Sequence, residues 1–141
     1  FVEFCRSTGL RRSEITTLRG DQLIERDGEY YIEVVGKGGR FRIIKICGDV
    51  ALVVRKMQKA GTGKVWEKVP SNADIHDFRA QYASRIYSSY ARPIEKIPRK
   101  ERYICRKDKA GIVYDKAAML EASKALGHNR ISVVGEHYLR F

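Results

Sequence analysis

Four short patterns in the 141-residue chain carry side chains that can do chemistry together. They are Thr8-Gly9-Leu10-Arg11-Arg12-Ser13-Glu14-Ile15, Gly36-Lys37-Gly38, His76-Asp77-Phe78-Arg79, and Leu126-Gly127-His128 followed ten residues later by Tyr138. Taken singly, each has an ordinary explanation. Arg11 reads as a surface arginine, Lys37 as a loop lysine and His76 with Arg79 as a solvated pair. His128 reads as a histidine favoured by a helix C-terminus, and Tyr138 as a core aromatic sharing a helical face with Ile131 and Val134.

As a set they meet the needs of one reaction. A phosphodiester under attack develops a second negative charge on its non-bridging oxygens. Two guanidinium forks can neutralise that charge and hold the phosphorus in line, and Arg11 and Arg79 could supply those forks. A phenol has a reference pKa of about 10, and cationic surroundings lower the cost of forming phenolate at Tyr138. The product would be a covalent phosphotyrosine. A departing DNA 5′ oxygen needs a proton, and Lys37 on a glycine-flexed hairpin can deliver one. His76 and His128 complete the set as a proton-handling group and a hydrogen-bond donor to the phosphate.

These residues need elements to position them. Residues 1–9 read as a turn or two of helix ending at glycine, and Ser13-Glu14-Ile15 with Leu18 restart a short helix, which leaves Arg11 and Arg12 at the joint. Residues 22–46 read as a three-stranded antiparallel meander with turns at Asp27-Gly28 and at residues 36–39. Asp49 caps a helix with Val50, Val53, Val54 and Met57 on one face, closed by Gly61. Ile75, Phe78, Tyr82 and Ile86 recur at helical spacing to about Tyr90, with His76 and Arg79 beside that stripe.

The stretch from Arg92 to Lys109 holds eight Lys or Arg and is interrupted by Pro93 and Pro98, so it reads as a solvated loop rather than regular helix. Residues 102–105 and 111–114 fit a small hairpin that would give it direction. Asp115 caps a helix through Ala118, Met119, Ala122 and Leu126 that Gly127 ends, and Ile131, Val134 and Tyr138 mark a last short helix. The expected class is α+β, one domain over residues 1–141, mainly helical with a small three-stranded sheet.

Composition narrows the partners. Lys and Arg total 28 against 17 Asp and Glu, giving a net charge of +11, and the sequence pI is near 9.8. A large polyanion is therefore expected, nucleic acid first. With 43% apolar and 32% charged residues the chain is too apolar for disorder and too interrupted by charge for a membrane span. No lipid-acceptor cysteine lies at the Tyr-Leu-Arg-Phe end, so membrane anchoring is disfavoured. Cys5, Cys47 and Cys105 form no Cys-x-x-Cys pair, and they read as reduced side chains of a cytoplasmic protein.

Gly61-Thr62-Gly63-Lys64 resembles the end of a P-loop, but Val65 stands where Ser or Thr is needed and Gln58 where the earlier glycine belongs. The three histidines make no His-Glu-x-x-His pattern, so no cofactor or metal is expected. The opening Phe-Val-Glu-Phe lacks an initiating Met and suggests a piece of a larger protein.

The ordered set Arg11, Lys37, His76-x-x-Arg79, Leu126-Gly127-His128 and Tyr138 resembles the tyrosine recombinases, most closely the integrases of bacterial conjugative transposons. The resemblance runs the length of the chain. It implies a mainly helical catalytic domain that clamps duplex DNA, cleaves one strand through a 3′-phosphotyrosine and exchanges strands through a Holliday junction, without metal or ATP. It assigns the phosphate to Arg11, Arg79 and His128, the acid to Lys37, proton assistance to His76 and attack to Tyr138. It implies a homotetramer on DNA in the longer protein, a preceding core-binding domain and first catalytic helix, and an accessory DNA-bending or excision factor.

Expected DNA contacts are Arg12, Arg40, Arg92, Lys96, Arg99, Lys100 and Arg102. Three features depart from the family pattern. Tyr138 stands one residue beyond the commoner spacing, which falls on His137; Ala80 follows Arg79 where a basic residue or histidine is common; and residues 90–114 form a longer basic insertion. A non-catalytic DNA-binding domain derived from an integrase fits the composition equally well.

Overall fold

A computed structural model describes residues 1–106, 109–128 and 131–139, with Lys37 described through its backbone alone. The first helix, α1 (Val2–Thr8), stops at Gly9, whose φ of 64° is left-handed. A β-carbon there would also fall 2.2 Å from the Tyr82 ring, so glycine is required twice over. The chain buries Leu10 and turns into α2 (Arg12–Thr17).

The meander forms as β1 (Leu23–Arg26), β2 (Glu29–Val35) and β3 (Phe41–Lys45), antiparallel in the order β1-β2-β3. Its register pairs Ile32 with Ile44 and Val34 with Arg42. Ile32, Val34 and Ile44 are buried, so strand alternation puts Arg42 on the inward face among apolar neighbours. An arginine there demands partners.

Helix α3 (Val50–Ala60) is capped by Asp49, whose Oδ1 accepts the Leu52 N–H at 3.1 Å. Such a cap is worth about 1 kcal/mol. Val53 and Met57 are fully buried, each contributing about 1.5–3 kcal/mol, so packing rather than capping holds the helix. Helix α4 (Ile75–Tyr90) is the wall between two cores. Phe78 joins Phe4, Ile15, Ile32 and Met57 on one side, and Tyr82 and Ile86 join Met119, Leu126 and Leu139 on the other.

After α4 the prolines start two short 3-10 turns, Ile94–Lys96 and Arg99–Glu101. The small hairpin follows as β4 (Arg102–Ile104) and β5 (Val113–Asp115). Helix α5 (Lys116–Leu126) begins at Asp115, whose Oδ1 accepts the Ala117 N–H, and α6 (Ile131–His137) completes the second core.

The basic insertion differs from a solvated loop. Asp115 is wholly buried, and a buried carboxylate is stable only when paired. Arg92 pairs it through its amide, Nε and Nη2 at 2.9–3.0 Å and reaches Glu101 as well. Arg102 Nε donates to the Ile97 carbonyl. Arg12 is likewise engaged, its fork bridging the carbonyls of Pro70 and Ala73. Three arginines expected on DNA therefore also make contacts within the fold, Arg12 remaining exposed, and Arg40, Lys96, Arg99 and Lys100 are exposed as well. Among the described residues no helix is long and apolar enough to cross a membrane.

Candidate active site

The C-terminal end of α5 organises the site. Gly127 closes this helix with φ 80°, and the His128 N–H donates to Ser123 O while Ser123 Oγ donates to His128 O. The last carbonyls of the helix then face three arginines from three other elements. Arg42 Nε of β3 donates to Ala125 O at 3.2 Å, Arg79 Nη2 of α4 to Leu126 O at 2.5 Å, and Arg11 Nη2 at the start of α2 to Gly127 O at 3.3 Å. Unpaired carbonyls at the negative end of a helix dipole are the natural acceptors for cations. A helix terminus thus gathers Arg11 and Arg79 beside His128, though they are far apart in sequence.

Tyr138 follows α6 directly and is 8% exposed. Its ring centroid lies 4.7 Å from that of His76 and 5.2 Å from that of His128, and the Arg79 Cζ is 5.5 Å from it. His137 is exposed and lines a separate groove with Arg102, Tyr103 and Glu136. Of the two neighbours, Tyr138 alone joins the cluster.

Gly36 and Gly38, either side of Lys37, line one cleft with Arg11, Arg40, Arg42 and His128. The backbone of Lys37 belongs to the turn that borders this cleft. Its ammonium lies outside the described atoms.

Electrostatics follow from burial and crowding. Burial pulls the Arg79 pKa down to about 10, opposed by Tyr138 and furthered by Arg11 and Arg42, so Arg79 stays charged at neutrality. Burial, with the charges of Arg79, Arg11 and Arg42, pushes His128 down to about 4. It is a neutral imidazole at neutral pH. Its Nε2 is shielded from solvent and has no hydrogen-bond partner among the described residues, which leaves a polar atom unsatisfied within a cationic cluster.

Two residues escaped the sequence reading. Glu14 is 6% exposed; it accepts the Arg11 N–H at 2.8 Å and a bidentate pair from Arg42 at 2.5 and 3.0 Å. Burial alone would raise its pKa, but the Arg42 bond, the Arg11 amide and both charges outweigh burial and lower it. The pair ties α2 to β3 and, through Arg42, to α5. The signal was present: Glu14 stands three residues after Arg11, and Arg42 shares strand parity with Ile44 and Ile46.

Among the described residues no three His, Cys, Asp or Glu side chains are grouped to hold a metal ion. The arrangement offers cations, a neutral imidazole and a phenol at one place, suited to binding a phosphate and attacking it.

No family model matches the chain, and no curated protein matches it. Solved structures do. The XerH site-specific recombinase bound to difH substrate, in a pre-cleavage complex, aligns with a TM-score of 0.57 at 14% identity over 99% of this chain and 41% of that one. The same recombinase on a palindromic difH substrate, in a post-cleavage complex, aligns with a TM-score of 0.55 at 15% identity over 97% of this chain and 41% of that one. The chain thus spans about two-fifths of the length of these neighbours, and at such identity the likeness is one of fold. The α+β architecture, a helical body with a three-stranded antiparallel sheet, is the fold that this chain shares with part of the XerH site-specific recombinase.

Proposed function

We propose that the chain is the catalytic part of a site-specific DNA recombinase that cleaves and rejoins strands through a 3′-phosphotyrosine. The observation that carries this reading is the packing of Tyr138 against His76, His128 and Arg79, beside a helix end that also holds Arg11. The net charge of +11 supports duplex DNA as the partner, and the structural neighbours, site-specific recombinases bound to difH substrate in pre- and post-cleavage complexes, agree with it.

In this reading Arg11 and Arg79 hold the non-bridging oxygens, and His128 Nε2 donates to one of them. The Tyr138 phenol loses its proton to His76, and its oxygen bonds to phosphorus. The bond from phosphorus to the 5′ oxygen breaks, and that oxygen takes a proton from Lys37. The phosphodiester energy is retained in the tyrosyl ester, so rejoining reverses the same steps. Arg40, Lys96, Arg99 and Lys100 are the proposed contacts to flanking phosphates.

The motif resemblance extends the proposal to integration or excision of a mobile element by a tetramer on DNA, assisted by a DNA-bending factor. The test uses duplexes from the DNA flanking the chain's own coding region, nicked near the crossover so that cleavage is trapped. A covalent adduct on a denaturing gel, lost in Tyr138→Phe, is the expected result. Site binding without an adduct from the longest natural chain containing these residues would establish a DNA-binding domain instead.

A further inference from the structure

The β4–β5 hairpin leans on the helix that presents Tyr138. The Arg106 N–H donates to Glu136 Oε1 at 3.0 Å, and the Tyr103 hydroxyl reaches the same oxygen at 3.5 Å. Gly135 lies so close to Tyr103 that a β-carbon there would come within 3.1 Å of the ring. Lys109, from the connection between β4 and β5, donates from Nζ to the carbonyls of Gly135 at 3.1 Å and Leu139 at 2.5 Å. One ammonium therefore grips the backbone on both sides of Tyr138.

These bonds fall at the C-terminal end of a short helix. Helix α6 has seven residues, and its closing turn is made by the N–H groups of Tyr138 and Leu139, which both donate to Val134 O at 3.0 Å. Carbonyls at such an end have no partner in the helix, and a cation opposes the dipole there. Val134 and Leu139, both fully buried, determine where α6 sits. Tyr138 sits on the turn after it, where these backbone bonds act together with the burial of its own ring in the second core.

We propose that Lys109 is a positioning residue for Tyr138: by bridging Gly135 O and Leu139 O it holds the phenol against His76 and His128. The basic hairpin is thereby an internal brace on the nucleophile. This inference rests on the phosphotyrosine reading above.

The test is made on the longest natural chain containing these residues, with the nicked duplex at saturation. Lys109→Met keeps the length of the side chain but removes its three donors, whereas Lys109→Arg keeps charge and donors. Misplacing a nucleophile by about an ångström costs up to about a hundredfold in rate. Lys109→Met is expected to slow adduct formation by about tenfold to a hundredfold with unchanged duplex affinity, and Lys109→Arg to recover most of that loss.

A second readout separates positioning from general damage. In a Tyr138→Phe background, hydrogen peroxide supplies a nucleophile that needs no positioned phenol: its oxygen gives up a proton to water and bonds to phosphorus, and the bond to the 5′ oxygen breaks as that oxygen takes a proton from Lys37. That cleavage should be equal with and without Lys109→Met. Loss of both reactions, or equal adduct rates in the unmodified and Lys109→Met chains, overturns the inference alone. An unmodified chain that binds its duplex and gives no adduct overturns the phosphotyrosine reading and this inference with it.

Discussion

The Arg79 guanidinium lies 5.5 Å from the centre of the Tyr138 ring while its Nε and Nη2 are held by the carbonyls of Gly9 and Leu126. The cation is thus held by backbone from two elements and, in the proposed reaction, would be in place before a phosphate binds. A charge placed in advance needs no reorganisation during reaction, which is the condition for strong transition-state stabilisation.

Arg79→Lys tests that condition. One ammonium cannot reproduce a planar fork across Gly9 O and Leu126 O, and each buried carbonyl left unpaired costs about 1–3 kcal/mol. A lower urea midpoint and a large loss of adduct are expected together. Unchanged stability would mean that the two carbonyls do not depend on Arg79.

Two glycines with left-handed φ separate strain from crowding. Gly28 has φ 80° and open space around it, whereas Gly9 has φ 64° and the Tyr82 ring 2.2 Å from a would-be β-carbon. Gly28→Ala should cost about 1–2 kcal/mol from backbone strain. Gly9→Ala should exceed it by about 1–3 kcal/mol from overpacking and should also disturb Arg79 through the Gly9 carbonyl. Chemical denaturation of both variants reads the difference.

The imidazole of His128 titrates at about 4 when folded against 6.5 for an ordinary histidine. Between those values the unfolded chain binds a proton that the folded chain refuses. Stability from this group is complete above about pH 6.5 and falls as the pH drops toward about 4, a slope that His128→Gln removes. Proton NMR of His128 should show the low value in the free protein and a rise when a phosphate diester of DNA occupies the site, because the anion offsets the three arginines.

For Asp115 the hydrogen bonds from Arg92 come first among the causes that pull its pKa from 3.8 to about 2. A carboxyl depressed in the folded state stabilises above its unfolded value, and that stability is lost as the pH falls from about 3.8 through about 2. Acid unfolding of Asp115→Asn should lack this component, and the variant should be less stable at neutral pH because it loses charge on the Arg92 pair.

Duplex affinity should fall steeply with salt. Arg40→Ala is expected to weaken binding and reduce the salt slope by about one. Arg12→Ala should instead lower the melting temperature, since its fork holds Pro70 and Ala73. A flat salt response would argue against phosphate-dominated contact.

The local signals in the sequence were sufficient for most of the elements. Asp49 and Asp115 announce helix starts, Gly61 and Gly127 helix ends, and the turns at Asp27-Gly28 and Gly36 to Gly39 divide three strands. Ile75, Phe78, Tyr82 and Ile86 mark α4 because a buried stripe repeats with the helical period. Each of these rules acts over a few residues, so one chain without relatives reveals it.

Side-chain partners obey no such rule. Nothing local says that Arg11, Arg42 and Arg79 end on successive carbonyls of α5, because those contacts join residues 116, 83 and 47 positions apart. Nor does charge alone say that Arg92 meets a buried Asp115 rather than solvent, or that Lys109 reaches back to α6. The choice between His137 and Tyr138 is of the same kind. One step along a helix turns a side chain by about 100°, and the burial of Val134 and Leu139 in the second core decides which of the two faces His76 and His128. The residue types and their order were written in the sequence, while their convergence depended on which faces the two cores buried.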